Sequence, residues 1–242
     1  MSGHARRLLA EFVGTAALVA VVVGSGIAAQ QLTADLALQL LANSTATVFG
    51  LGVLILVFGP VSGAHFNPVV SAADWLAGRR HGVGLTGRDV AAYALAQITG
   101  AITGSVLANT MFDLATVQIS SHARITTGHL VGEVVATAGL IAVIFALARS
   151  GRATLSASAV AAYIGAAYWF TSSTSFANPA VTIGRVFSDT FAGIAPASVP
   201  GFIAAQITGT ALGLALIVVL YPRSVASAAD DAVVPHPDHT TR

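Results

Sequence analysis

The sequence predicts an all-α membrane protein of six transmembrane helices and two re-entrant half-helices, arranged as an inverted repeat of three spans plus three. Three observations carry the prediction: a composition rich in apolar and poor in charged residues, six apolar stretches long enough to cross a bilayer, and two shorter stretches that each open with Asn-Pro. Of 242 residues, 55% are apolar and 9% charged, lysine is absent, and the mean hydropathy is +0.80. Such a composition excludes a soluble enzyme. One crossing takes about 20 apolar residues, so the chain has room for six or seven helices and little else. A single membrane domain is expected over about residues 1–222. The formal charge of +1, with its arginines scattered between spans, offers no basic patch for nucleic acid. With no cysteine there is neither a disulfide nor a thiolate metal site, and nothing in the sequence calls for a cofactor.

The spans fall at roughly 7–29, 37–59, 88–112, 128–148, 154–173 and 197–221. The first follows His4, Arg6 and Arg7 and resembles a secretory leader. It carries Glu11, runs too long for a leader and is followed by five more spans, so it reads as a span. The stretches at roughly 64–77 and 175–187 are too short to cross and read as half-helices. Asp35, then Arg79, Arg80 and Arg88, then Asp113 and Arg124, then Arg149 and Arg152 punctuate successive spans. A cytoplasmic N-terminus places most arginines inside and leaves Arg124 and Arg185 outside, so both termini are expected in the cytoplasm. Residues 223–242, with Asp230, Asp231, Asp238 and no apolar period, are expected to form a disordered cytoplasmic tail.

The two halves repeat each other. Glu11-Phe-Val-Gly-Thr-Ala-Ala-Leu matches Glu133-Val-Val-Ala-Thr-Ala-Gly-Leu, and Gln97-Ile-Thr-Gly matches Gln206-Ile-Thr-Gly. Offsets of 122, 111 and 109 residues for Glu11/Glu133, Asn67/Asn178 and Gln97/Gln206 keep the three markers in order. The repeats run from about 7 to 112 and from about 128 to 221. Three spans per repeat is an odd number, so the second copy enters from the opposite face. Irregular backbone cannot face lipid, so the stretches before Asn67 and Asn178 must be buried in protein or line a watery lumen, and a pore at the repeat interface is expected. Proline suits the first helical position and Asn caps it, so Asn67 with Pro68 and Asn178 with Pro179 start half-helices. Their N-termini and amide donors would then meet at the midplane, opposing cations and offering hydrogen bonds to neutral solutes.

Ser62-Gly-Ala-His-Phe-Asn-Pro-Val69 and Ser175-Phe-Ala-Asn-Pro-Ala180 resemble the paired Asn-Pro-Ala boxes of the aquaporin, or major intrinsic protein, family. The likeness extends over nearly the whole chain and takes in Glu11, Glu133 and the Ala-Gln-x-x-Gly runs of the third and sixth spans. It implies a channel and not an enzyme, a homotetramer with one pore per subunit, and the cell (inner) membrane as its place. Val69 stands where the first box would have Ala, a packing change, whereas Ala180 keeps the second box intact. In the family, carboxylates such as Glu11 and Glu133 brace the pore-loop backbone; a proton relay is the competing role. At the position of His65 the family uses the backbone carbonyl to line the pore, so the resemblance implies that role here, and no further ligand at suitable spacing gives His65 a metal role.

The family's constriction takes one residue from the second span, one from the fifth and two from the second loop. Ungapped spacing carries these onto Thr47, Ala166, Ser175 and Val181, the last where the family usually has Arg. Such a ring is small and uncharged, favouring wider solutes over water alone. Arg185, one turn on from Val181, could reach the vestibule or brace the outer loop through Asp189. The run Asn178-Pro-Ala-Val-Thr-Ile-Gly-Arg185 and its continuation resemble a bacterial branch that conducts arsenic compounds. The resemblance thus implies a passive channel for metalloid acids such as arsenite, and for glycerol. A general water, glycerol and urea facilitator is the alternative within channels, and an ion-coupled secondary transporter the alternative outside them.

Overall fold

The computed structural model describes residues 1–79 and 82–221. Arg80 and the tail expected over 223–242 lie outside the described residues. Among the described residues eight α-helices follow in order: α1 (Gly3–Leu32), α2 (Leu36–Ser62), α3 (Pro68–Gly78), α4 (Gly87–Met111), α5 (Thr127–Arg149), α6 (Ser156–Phe170), α7 (Pro179–Gly184) and α8 (Val199–Leu220). Six of them, counting the 3₁₀ turn Ala153–Leu155 with α6, are long and apolar enough to cross a membrane; α3 and α7 are the two half-helices.

Local chemistry sets the helix starts. Ser2, Asp35, Thr86 and Thr126 each accept a first-turn backbone N–H through a side-chain oxygen, and Thr86 and Asp89 complete a reciprocal capping box. Asn67 and Asn178 do the same for the half-helices, with Pro68 and Pro179 in the first helical position. The half-helices therefore begin at the prolines, and the apolar residues just before them form irregular loops. α6 ends at Phe170, about three residues earlier than the hydropathy suggests, because the chain turns extended at Thr171 and left-handed at Thr174.

Polarity is distributed inside out. Phe49, Leu56, Leu95, Val131, Leu212 and Val219 are exposed on helix surfaces, whereas Glu11, Gln97, Glu133 and Gln206 are fully buried. In lipid an exposed apolar side chain loses nothing, while a polar one needs an internal partner.

α1 packs along α4 and α5 along α8, the equivalent pair of each repeat. Glycine sets the approach of both pairs. A Cβ on Gly100 or Gly104 would overlap the backbone of Phe12 or Ala16, and one on Gly209 or Gly213 that of Val134 or Ala138. Backbones this close are the small-residue mode of packing expected between helices in a membrane.

Gly104→Ala should accordingly push α1 from α4 and cost about 1–3 kcal/mol, read as a lower melting temperature of the detergent-solubilised protein. Gly3→Ala, whose Cβ would meet no atom within 4 Å, should leave it unchanged.

Candidate functional site: two loops braced by buried carboxylates

The irregular loops before the half-helices are held by corresponding bonds in each repeat. Glu11 Oε1 accepts from Ser62 Oγ at 2.6 Å and His65 N at 3.0 Å, and Oε2 from Phe66 N at 2.7 Å and Gln97 Nε2 at 2.7 Å. Glu133 Oε1 accepts from Phe176 N at 2.8 Å, and Oε2 from Ala177 N at 2.9 Å and Gln206 Nε2 at 2.6 Å. Each carboxylate thus holds the two peptide N–H groups just ahead of its loop's Asn. Gln97 and Gln206 also reach Ser71 Oγ and Thr182 Oγ1, which bond back to the carbonyls of Asn67 and Asn178. Carboxylate, glutamine, hydroxyl and half-helix form one closed network in each repeat.

That arrangement needs unusual backbone. Ala64 and Phe66 have φ of 48° and 49°, and Ser175 and Ala177 have 51° and 47°. These are the residues one and three before each Asn. A left-handed non-glycine residue costs about 1–2 kcal/mol, so the loops stay formed because the carboxylates hold them. In a trans peptide the C=O points opposite to the N–H. With the N–H groups of His65, Phe66, Phe176 and Ala177 aimed at the carboxylates, the carbonyls of Ala64, His65, Ser175 and Phe176 point away from them. All four of these residues line a cavity.

The two loops meet through their asparagines. Asn67 Nδ2 donates to the Ala177 carbonyl at 2.8 Å and Asn178 Nδ2 to the Phe66 carbonyl at 2.7 Å. Each amide group has two N–H donors, so one remains for the cavity that both residues line. Asn178 Oδ1 caps Ala180 N and Val181 N, whereas Asn67 Oδ1 caps Val69 N. Val69 is buried away from the cavity, and its larger side chain leaves that cap in place. The cavity has a volume of about 70 Å³, enough to admit water. Its wall is aliphatic on both sides, with Val22, Leu51 and Ile55 facing from one repeat and Leu140, Ile144 and Ile164 from the other.

Of the residues carried over by spacing, Thr47, Ser175 and Val181 line the cavity, and Ala166 does not. Ala166 is exposed on the outer face of α6, while Tyr168, two residues on, is 3% exposed and lines the cavity. Two helical residues are about 200° of rotation, so a two-residue slip changes the face completely. The readable signal was the stripe Val160, Ile164 and Tyr168, at four-residue intervals along one face.

Arg185 is 2% exposed and lines the cavity as well. Its Nε donates to the Ala192 carbonyl, and its guanidinium carbon lies 3.5 Å from the centre of the Phe176 ring. Of the two readings of Arg185, the i+4 pair with Asp189 does not form among the described residues. Asp189 instead accepts from Ser121 N and Ser121 Oγ, which hold its carboxyl below the usual carboxylate range. Bracing of the outer loop falls to Arg124, which the sequence places outside but to which it gives no partner. Arg124 donates to the carbonyls of Gly193 and Phe191, both at 2.7 Å, and sits 5.4 Å from the same Phe176 ring. Burial pushes its guanidinium down to about 10, still protonated at neutral pH.

Comparison with known proteins agrees with this geometry. The major intrinsic protein family model matches residues 2–177. The chain belongs to the major intrinsic protein family. It is a multi-pass integral membrane protein of channel type. It is similar to the aquaglyceroporin AqpS of Rhizobium meliloti, 51% identical over 88% of either chain. It is also similar to the glycerol uptake facilitator protein of Pseudomonas aeruginosa, 32% identical over 93% of this chain and 91% of that one. Among solved structures, the aquaglyceroporin from Plasmodium falciparum shares the fold, with a TM-score of 0.63 and 20% identity over 94% of this chain and 99% of that one.

The brace can be tested at one atom. In Glu11→Gln one oxygen becomes an amide donor, and each oxygen now serves one backbone N–H, so either rotamer leaves His65 N or Phe66 N facing a donor. The variant should lose about 1–3 kcal/mol of stability and lower all flux together, as read by thermal unfolding beside vesicle permeability. Glu133→Gln should behave alike.

Proposed function

We propose that this protein is a passive channel for small neutral hydroxylated solutes, with arsenous acid and glycerol as its substrates. The observation that carries the reading is the lumen itself, an aliphatic wall interrupted by the Asn67 and Asn178 amides and by a row of loop carbonyls, with Val181 beside it where a guanidinium would narrow it. A neutral trihydroxide can take hydrogen bonds from the amides, give them to the carbonyls and slide its other side along the wall. The similarity to an aquaglyceroporin and to a glycerol uptake facilitator supports the same substrate class. We assign Thr47, Ser175 and Val181 to the selectivity filter at the outer mouth, and to Arg185 the repulsion of cations there. The carboxylates of Glu11 and Glu133 are taken up by peptide and glutamine donors, which supports bracing over ion coupling. The chain is read as a homotetramer in the inner membrane with both termini in the cytoplasm, Arg124 and Arg185 marking the outer face.

Stopped-flow light scattering on vesicles holding the purified protein tests this. Glycerol and arsenous acid should enter without saturating and independently of a proton gradient, and Val181→Arg should suppress both by tenfold or more while sparing water. Fast water flux with solutes excluded would refute the substrate assignment, and flux that collapses with the gradient would refute the passive mechanism. Arg185→Ala, in turn, should raise the cation leak, measured as dissipation of a potassium gradient, with solute flux kept.

A further inference from the structure

We propose that the Arg185 guanidinium, seconded by Arg124, is a binding site for a small monovalent oxyanion of the nitrate type, which on binding obstructs the lumen. The obstruction rests on the channel reading above; the binding does not. Charge balance is the starting point. A charge taken out of water is ordinarily paired with an opposite one. Arg185 is 2% exposed and Arg124 is half-buried, and among the described residues neither is paired with a carboxylate. The acidic groups of the same region are engaged elsewhere, Glu133 with the loop N–H groups and Gln206, and Asp189 with Ser121. Carbonyl oxygens and the Phe176 ring hold the two guanidiniums in position without supplying a full negative charge. Two positive groups, 3.5 and 5.4 Å from one ring centre, therefore share a region with no counter-charge among the described residues.

The free donors of Arg185 set the class of ion. Its Nε is committed to the Ala192 carbonyl, and neither Nη has an acceptor among the described residues. Arg185 lines the cavity, so the lumen is the side from which an acceptor reaches this fork. Two N–H donors side by side match two oxygens of one planar oxyanion, a pairing that a spherical halide cannot make. The ion goes no further. The wall is aliphatic, from Val22, Leu51 and Ile55 to Leu140, Ile144 and Ile164, and the loop carbonyls present negative oxygen, so an anion that leaves the guanidinium loses its partner and gains none. A bound oxyanion thus stays at Arg185 and occupies space that a neutral solute needs. The guanidinium that opposes cations is, by the same charge, a station for anions.

Purified protein in vesicles tests the site, with nitrate exchanged for gluconate at constant ionic strength and glycerol as the permeant. Glycerol flux should fall saturably as nitrate replaces gluconate, and the melting temperature of the detergent-solubilised protein should rise over the same concentrations. Chloride, which lacks the second hydrogen bond, should need about tenfold higher concentration. Arg185→Lys keeps the charge and removes the fork, and should raise the half-effective nitrate concentration about tenfold. Arg185→Gln should abolish the response. Flux and melting temperature that are the same in nitrate and gluconate would overturn the proposal on the unmodified protein alone, as would a nitrate response undiminished in Arg185→Gln. A melting shift with unchanged flux would overturn the obstruction. Unmodified protein that passes no glycerol in gluconate would overturn the channel reading and the obstruction with it, whereas the melting shift still decides the binding, so the two failures are told apart.

Discussion

The rest of the structure depends on the bond between a buried carboxylate and two peptide N–H groups, made once in each repeat. A chain that enters a membrane and turns back exposes backbone donors where no water can satisfy them. Here Glu11 serves the N–H groups of His65 and Phe66, and Glu133 those of Phe176 and Ala177. One glutamate on the long helix that opens each repeat thereby makes an irregular segment tolerable. It also stabilises the left-handed residues at Ala64, Phe66, Ser175 and Ala177, conformations that would otherwise relax. The opposite edge of the same peptides is then free to present carbonyls to a lumen. The strain and the carbonyl row are two sides of one arrangement.

Charge and packing are linked through the same network. Gln97 and Gln206 stand on α4 and α8, the helices that glycine brings closest to α1 and α5. If those helix pairs were separated by a methyl group's width, each glutamine would move off its glutamate, and bonds of 2.6–2.7 Å tolerate little displacement. The small residues on the helix faces and the polar residues in the core are therefore parts of one constraint. That gives a physical reason for both halves of the chain to carry glutamate, glutamine and paired glycines in the same order.

Much of this could be read before any coordinates. Glu11 and Glu133 stood out because a carboxylate in an apolar run needs a partner, and Asn-Pro marked both half-helix starts because cap and first-position preferences are local. What could not be read was geometry that depends on loop path. Ala166 was placed beside the lumen by counting back from Asn178, yet α6 ends at Phe170 and its cavity face carries Tyr168. Arg185 was weighed as a partner of Asp189 on helical spacing, but the helix gives way to a 3₁₀ turn at Arg185–Phe187, and Ser121 on the neighbouring loop takes the carboxylate. The hold of Arg124 on the outer loop was not readable, because its acceptors are main-chain carbonyls, which no sequence pattern displays.

The two arginines beside the Phe176 ring show why neutral partners matter there. A carboxylate would hold a guanidinium equally well, but it would also cancel the charge. Among the described residues no arginine is paired with a carboxylate; the one contact of a basic side chain with an acidic one is His4 with Asp89, far along the chain from both arginines. Arg124 and Arg185 are held by carbonyl oxygens and by the two contacts with the Phe176 ring, partners that fix position while leaving the positive charge in force. Phe176 also lends its peptide N–H to Glu133, so the residue that positions the cations is part of the braced loop. A guanidinium directly after the box would have carried the charge and narrowed the opening at once. With Val181 in that place and Arg185 one turn further on, both lining the cavity, the guanidinium and the residue directly after the box are separate positions in this chain.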